Sequence, residues 1–172
     1  IRLDPEGADP HNSLGVVLQA RGDPAGAEAA YREAVRLAPK SVAARTNYGD
    51  ALRARGDLAG AEAAHREAIR LNPKVAPPHN NLGRAYESGF RLEDAEASYR
   101  EAIRLDPRLA LAHANLGNVL RKQGRHAEAA TAYGAALALN PNLGPARDGL
   151  AYCEGVRRGE VPTAPPPRPV AR

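Results

Sequence analysis

The chain has 172 residues, of which 43% are apolar and 26% are charged, and its net charge at pH 7 is +4. This balance is typical of one globular domain, and no apolar run approaches the roughly 20 residues of a membrane-spanning helix. One cysteine excludes an internal disulfide, and six Tyr, one Phe and no Trp leave few rings for stacking nucleic-acid bases. Acidic residues are interleaved with the arginines, so no basic block indicates a nucleic-acid partner.

A thirteen-residue motif recurs along the chain at a constant interval. It is AEASYREAIRLDP at Ala95–Pro107, and similar phrases end at Pro39, Pro73 and Pro141. The final prolines are equally spaced, with a period of 34. A period of this length predicts an all-α solenoid in which every repeat is one helix-turn-helix unit packed on the next.

The period divides the chain into four repeats, 8–41, 42–75, 76–109 and 110–143. Residues 1–5 repeat the pentad at Ile103–Pro107, so we expect residues 1–7 to be the end of an upstream repeat. Residues 144–158 are predicted to form a capping helix, because Glu154 stands where the repeats have a large apolar residue. Residues 159–172 contain five prolines and are expected to form an extended tail.

The first predicted helix of every repeat carries a Leu-Gly or Tyr-Gly pair on its apolar stripe. Glycine costs a helix about 1 kcal/mol relative to alanine, so we expect the second helix to approach closely there. The predicted deep core is Leu14, Leu18, Leu82, Tyr86, Leu116 and Leu120. Truncating one of these leucines to alanine should cost roughly 2–5 kcal/mol.

A glycine ends the first helix of three repeats, at Gly22, Gly56 and Gly124. The third repeat has Gly89 one residue early, followed by Phe90, the only Phe. We therefore predict a shifted helix end there, with the ring of Phe90 covering a small apolar patch.

The second predicted helix contains small alanines and one ring per repeat, at Tyr31, His65, Tyr99 and Tyr133. Its Glu and Arg residues four positions apart form supportive ion pairs, which we interpret as a solvated outer face: Glu28–Arg32, Glu62–Arg66 and Glu96–Arg100. The fourth repeat has Ala130, Gly134 and Ala138 on this face instead. We predict that another element covers its helix.

Taken together, the period of 34, the Leu-Gly pair, the Ala and Tyr of the second helix and the closing Pro resemble the tetratricopeptide repeat (TPR). The tripeptide Asn-Leu-Gly occurs at Asn81–Gly83 and at Asn115–Gly117, each time shortly after a His. This feature is also similar to the repeats of O-linked N-acetylglucosamine transferases and their bacterial relatives. The family resemblance implies a right-handed superhelix whose first helices line a concave groove for an extended peptide or a partner helix.

Polar residues recur at the first-helix positions that should face this groove. Carboxamides both donate and accept hydrogen bonds, so a row of Asn can grip the main chain of a peptide. The alternative is that these Asn cap or tie adjacent helices. The predicted groove residues are Asn12, Asn47, Asp50, Arg53, Asn80, Asn81, Arg84, Glu87, Asn115, Asn118 and Arg121. The Lys–Asn clamp of chaperone-binding family members is absent, because Asn12 and Val16 occupy its first positions.

The sequence therefore predicts a scaffold that binds a protein or peptide partner. Two alternatives are a self-assembling structural protein, joined through an uncapped first repeat, and the substrate-selecting arm of a larger enzyme such as a glycosyltransferase. No catalytic motif, cofactor site or membrane insertion is expected. His11, His79 and His113 occupy equivalent positions about 10 Å apart, too far apart to share a metal ion.

Overall fold

The computed structural model describes residues 8–160, which form nine α-helices and no strand. The first helices of the repeats are α1 (Ala8–Ala20), α3 (Val42–Ala54), α5 (Ala76–Ser88) and α7 (Ala110–Lys122). The second helices are α2 (Pro24–Leu37), α4 (Leu58–Leu71), α6 (Leu92–Leu105) and α8 (His126–Leu139), and α9 (Gly144–Arg158) follows. The predicted all-α helical-repeat fold is confirmed. The upstream fragment at residues 1–7 and the proline-rich residues 161–172 lie outside the described part.

The helices fall into two compact units, which divide between Gly89 and Phe90. In the first unit α1 pairs with α2 and α3 with α4, while α2 also packs on α3 and α4 on α5. In the second unit α7 packs between α6 and α8, and α9 packs on α8 and α7.

Local sequence signals set the helix ends. The side chains of Asp23 and Asp57 accept hydrogen bonds of 2.8 Å from the backbone N–H groups of Gly26 and Gly60, which would otherwise be unpaired in the first turns of α2 and α4. Pro24 follows the first of these caps, at a position where a missing N–H costs nothing.

In the helix pairs α1–α2, α3–α4 and α7–α8, a glycine of the first helix faces a ring of the second helix. A Cβ atom on Gly49 would lie 2.6 Å from His65 Cε1, and one on Gly117 would lie 2.7 Å from the Tyr133 ring. Gly15 faces the ring of Tyr31 in the same way. These distances are far below van der Waals contact, so the close approach predicted from the helical glycines is confirmed.

The predicted core is correct for four of its members and wrong for Leu14. Leu82, Tyr86, Leu116 and Leu120 are 2–8% exposed, whereas Leu14 is 48% exposed. Leu18 is half-buried and packs on the cluster of Ala27, Tyr31 and Ala51. One repeat later, the position of Leu14 belongs to Tyr48, which packs on that same cluster. Among the described residues no second helix precedes α1, so Leu14 has no such cluster to cover it, and the expected cost of truncation does not apply to it.

The interpretation of the Glu–Arg pairs as a solvated face was wrong for their glutamates. The side chains of Glu28, Glu62 and Glu96 are only 6%, 20% and 15% exposed, whereas their paired arginines are 53–62% exposed. Glu28 also pairs with Arg55 of the following repeat, and Glu96 pairs with Arg125 at 2.7 Å. These two glutamates therefore join consecutive repeats. The solvated pairs lie elsewhere on the second helices, at Glu33–Arg36, Glu67–Arg70 and Glu101–Arg104.

The turn after each first helix has one residue in the left-handed region. These residues are Gly22, Gly56, Phe90 and Gly124, with φ of 77°, 85°, 59° and 79°. Because they recur at the period of the repeats and α5 is as long as α1, α3 and α7, the predicted shift of the helix end was wrong. The ring of Phe90 is 78% exposed, so the predicted covering of an apolar patch was also wrong.

Replacing Phe90 with glycine should stabilise the chain by about 0.5–1 kcal/mol. The left-handed conformation costs a residue with a Cβ atom roughly 1–2 kcal/mol, which exceeds the entropy that glycine adds to the unfolded chain. Urea denaturation followed by circular dichroism measures the difference. The matched control is Gly56→Ala at the equivalent position, which should lose about 1 kcal/mol. An unchanged or lower midpoint for Phe90→Gly would show that the left-handed geometry is not strained.

Candidate partner-binding face of the first helices

The predicted groove residues lie on the first helices α1, α3, α5 and α7. In the first unit, Asn47 on α3 donates from Nδ2 to Asn12 Oδ1 on α1 at 2.9 Å. Both side chains remain half-exposed. This carboxamide pair links two repeats and still presents polar atoms to solvent.

Asp50 is the centre of a charged cluster on the same face. Its Oδ2 accepts a 2.7 Å hydrogen bond from Asn81 Nδ2, and its Oδ1 lies 3.6 Å from Arg84 Nη1 and 3.9 Å from Arg53 Nε. The carboxylate is 20% exposed, whereas Arg84 is 39% exposed. Burial raises the pKa of Asp50, and the charges of Arg84 and Arg53 oppose that rise. We call Asp50, Arg53, Asn81 and Arg84 the Asp50 cluster.

Two of the predicted residues are used inside the fold. Asn80 and Asn81 are 6% and 9% exposed, and Asn80 Nδ2 donates to Asn81 Oδ1 at 3.0 Å. Their carboxamides form a chain that ends on Asp50, so within this unit the asparagines tie the first helices together. Glu87, one turn further along α5, is half-buried.

The second unit presents Asn115, Asn118 and Arg121, all half-buried, on the equivalent face of α7. Asn118 Oδ1 accepts a 2.8 Å hydrogen bond from the Tyr133 hydroxyl. The guanidinium of Arg121 lies 5.5 Å from the ring centre of Tyr152 on α9, close enough for a cation–π contact. A cavity of about 330 Å³ is lined by Asn118, Arg121 and Tyr152 among others.

Sequence reasoning missed two kinds of residue on this face. Tyr152 lies one full period after Asn118, so the repeat itself places it in the same row. The rings of the second helices also reach this side, since the Tyr31 hydroxyl donates to Gln19 Oε1 at 3.1 Å. Burial, together with the negative charge of Asp50, raises the pKa of Tyr31. The spacing of the tyrosines predicts packing, but it gives no sign that their hydroxyls extend through to the first-helix face.

His65 occupies the ring position of the second repeat and is fully buried. Neither of its ring nitrogens has a hydrogen-bond partner, and Asp50 Oδ1 accepts no hydrogen bond. Burial, reinforced by the charges of Arg53 and Arg84, lowers the pKa of His65 to about 4. In the first and fourth repeats the longer tyrosine reaches a polar partner on the first-helix face. The shorter imidazole does not reach an equivalent partner.

The histidines at equivalent positions do not gather into a metal site. His79 Nε2 donates to the Pro73 carbonyl at 3.1 Å, and His113 Nε2 donates to the Pro107 carbonyl at 3.0 Å. Arg45 and Arg147 make the same bond to Pro39 and Pro141. This position therefore holds the closing proline of the preceding repeat. Within residues 8–160 no group of three His, Cys, Asp or Glu side chains could hold a metal ion.

Comparison with known families identifies the repeats. Models described as tetratricopeptide repeat match residues 12–76 and 110–143, and one described as TPR repeat matches residues 91–124. The chain belongs to the tetratricopeptide-repeat proteins. Their fold is a protein–protein interaction scaffold, and proteins built on it are generally not enzymes. No curated protein matches the sequence.

Solved structures share the fold at low sequence identity. TTC0263, a thermophilic TPR protein of Thermus thermophilus, has a TM-score of 0.80 at 23% identity, over 90% of this chain and 84% of its own. Pseudomonas aeruginosa pilF has a TM-score of 0.81 at 24% identity, over 88% and 69%. MamA has a TM-score of 0.71 at 22% identity, over 89% and 83%. These likenesses establish the fold alone. None of the helices between residues 8 and 160 is long and apolar enough to cross a membrane.

The variant His65→Tyr should be more stable than the wild type, and increasingly so in mild acid. The pKa of His65 is near 6.5 in the unfolded chain and about 4 in the folded one. The neutral ring's contribution to the free energy of unfolding is therefore complete above pH 6.5 and is lost as the pH falls towards 4. Between pH 7 and pH 5 the stability gap between variant and wild type should widen by about 2 kcal/mol.

Urea denaturation at the two pH values measures this gap, and subtracting the wild type removes the contribution of the carboxylates common to both proteins. His79→Tyr is the control, because His79 is only half-buried and bonds to a carbonyl. A gap that stays constant with pH would mean that His65 does not titrate as a buried, unpartnered base.

Proposed function

We propose that the chain binds a segment of a partner protein on the first-helix faces of its repeats. The Asp50 cluster is the observation that carries the proposal. It holds one carboxylate and two guanidinium groups, which the glycine-to-ring contact between the helices does not use. A charged cluster costs desolvation free energy, so a ligand that uses it would explain its presence.

The geometry of the cluster suits recognition because its groups are already fixed. Asp50 holds Arg84 at 3.6 Å, and Asn81 holds Asp50 at 2.7 Å, so Arg84 would lose less side-chain freedom on binding than an isolated arginine. Arg84 is 39% exposed and has further donors for a partner. The first unit offers Asn12, Asn47, Asp50, Arg53, Arg84 and Glu87 as its candidate contacts.

The second unit supports the proposal with different chemistry. Its face combines the donors and acceptors of Asn115, Asn118 and Arg121 with the ring of Tyr152. Tyrosine beside arginine is typical of residues that contribute most to protein interfaces. Asn80 and Asn81 act as supports, since both are buried and bonded within the fold.

A peptide selected on this chain should lose at least about tenfold in affinity when Arg84 is replaced by glutamine. The probe is a binder selected from a random twelve-residue peptide library, labelled with fluorescein and titrated by fluorescence anisotropy. Asn47→Ala should weaken binding as well, because Asn47 is half-exposed on the same face.

Arg70→Gln is the matched control, since Arg70 is 70% exposed on a second helix and its ion pair is with its own neighbour Glu67. Its affinity should equal that of the wild type, and the thermal melts of all variants should agree. Binders that are insensitive to both Arg84→Gln and Asn47→Ala would refute binding on the first-helix faces.

Self-association is a second candidate function, favoured by an exposed apolar surface on α1. Leu14, Val16 and Val17 are 48%, 51% and 46% exposed. Three large aliphatic side chains within one turn and a half of a helix are costly to leave in water, and a second copy of the chain could cover them.

The double variant Leu14→Asp, Val17→Asp should be monomeric under conditions in which the wild type self-associates. Sedimentation velocity over a concentration series measures this, and circular dichroism checks that the variant keeps its helices. Leu111→Asp, at an exposed leucine of the second unit, should leave association unchanged. A wild-type chain that stays monomeric at every concentration would exclude this function.

A further inference from the structure

The second helix of the fourth repeat, α8, differs from the other second helices on its outer side. α2, α4 and α6 each carry an exposed ion pair there, at Glu33–Arg36, Glu67–Arg70 and Glu101–Arg104. In α8 the two equivalent positions are Ala135 and Ala138. Leu139, in the last turn, is 41% exposed. The repeat that borders α9 has therefore replaced charges with apolar groups on a surface exposed to water.

Two grooves flank α8, both within the second unit. The first has a volume of about 700 Å³ and lies between α8 and α9, with Ala127, Leu150 and Val156 among its apolar residues. The second has a volume of about 520 Å³ and lies between α6 and α8 over Leu116 and Leu120 of α7. Thr131 and Glu128 line both grooves. We call α8 and its two grooves the α8 surface.

The repeat pattern indicates what kind of element fits the first groove. By its register α9 is a first helix, and in the preceding repeats α1, α3 and α7 each pack against the second helix that follows them. The sequence after α9 has five prolines between residues 161 and 172, a composition that does not favour a helix. Within residues 8–160 no second helix follows α9, and a helix placed in the first groove would complete its packing.

The charges around the α8 surface indicate the sign of that partner. Four arginines line the grooves, and three of them already pair within the second unit, Arg100 and Arg125 with Glu96 and Arg104 with Glu101. The fourth is Arg157. Arg157 lies in the register of Arg55, which pairs with Glu28 of the preceding repeat. Ala130 stands in the register of Glu28, and within residues 8–160 Arg157 forms no ion pair. An acidic residue on the partner would provide this missing counter-charge.

We propose that the α8 surface docks an amphipathic helix of a partner protein, with large apolar side chains in the two grooves and an acidic residue facing Arg157. This interaction is separate from the proposed binding on the first-helix faces. A second copy that docks through its own α8 is a poor occupant, because contact between two α8 helices would set Ala and Thr against Ala and Thr and leave both grooves unfilled.

A designed peptide tests the proposal directly on the whole chain. The probe is a helix of about 15 residues with leucine at positions i, i+3, i+4 and i+7 and glutamate on both flanks. The wild-type chain should bind the labelled peptide in an anisotropy titration. The same peptide with lysine in place of glutamate should bind at least about tenfold more weakly.

The double variant Ala135→Glu, Ala138→Arg restores the ion pair that the other second helices carry and should reduce binding at least about tenfold. It is expected to fold, because α6 carries the same pair in the same register. Glu67→Ala with Arg70→Ala makes the opposite change on α4 and should leave peptide binding unchanged. Arg84→Gln should also have no effect, which distinguishes failure here from failure of the proposed function.

Four results would overturn the proposal. They are equal binding of the glutamate and lysine peptides, undiminished binding by the Ala135→Glu, Ala138→Arg variant, and a wild-type dimer that this variant converts to a monomer, which would make a second copy the occupant. The fourth is a rise of about tenfold or more in peptide affinity on deletion of residues 161–172, which would make the chain's own tail the occupant.

Discussion

The contact between a helical glycine and a buried ring is the interaction on which the rest of the structure depends. Gly49 against His65 and Gly117 against Tyr133 bring two helices so close that even a methyl group would not fit between them. Within each unit the same packing leaves two surfaces, one formed by the first helices and one by the second. Because the helix pair returns once in every period of the sequence, each side chain on either surface has counterparts at the same place in the other repeats. A residue that differs in type from its counterparts in the other repeats therefore changes the polarity or charge of the surface at that repeat alone.

The rings also connect the packing to the proposed binding face. The hydroxyls of Tyr31 and Tyr133 pass through the helix pair and bond to Gln19 and Asn118 on the far side. In the second repeat a histidine is too short to make this bond, and its buried nitrogens lie beneath the charges of Arg53 and Arg84. The second repeat, whose buried His65 nitrogens have no hydrogen-bond partner, thus also holds two members of the Asp50 cluster, Asp50 and Arg53. Stability and the proposed recognition draw on the same residues there, so a gain in one need not preserve the other.

Charge distinguishes the two proposed binding surfaces, one in each unit. On the first-helix face of the first unit, polar groups are fixed by one another, which suits recognition of a partner's polar groups. The second helices of the first three repeats carry solvent-exposed Glu–Arg pairs. The fourth repeat lacks these pairs and presents grooves instead. A scaffold with both features could hold two partners at once, each recognised by a different force.

The sequence by itself determined the helix pairs, their interval and their caps, because glycine, proline and aspartate act on the backbone within a few residues. It also predicted the groove residues, since a period of 34 fixes which positions are equivalent in successive repeats. Only the tertiary structure decided how exposed those positions are. Leu14 is exposed for lack of a preceding helix among the described residues, Glu28 is buried by the following repeat, and Asn80 and Asn81 are drawn inside by Asp50. Exposure depends on which neighbouring helix covers a residue, and that contact is made by residues distant in the chain.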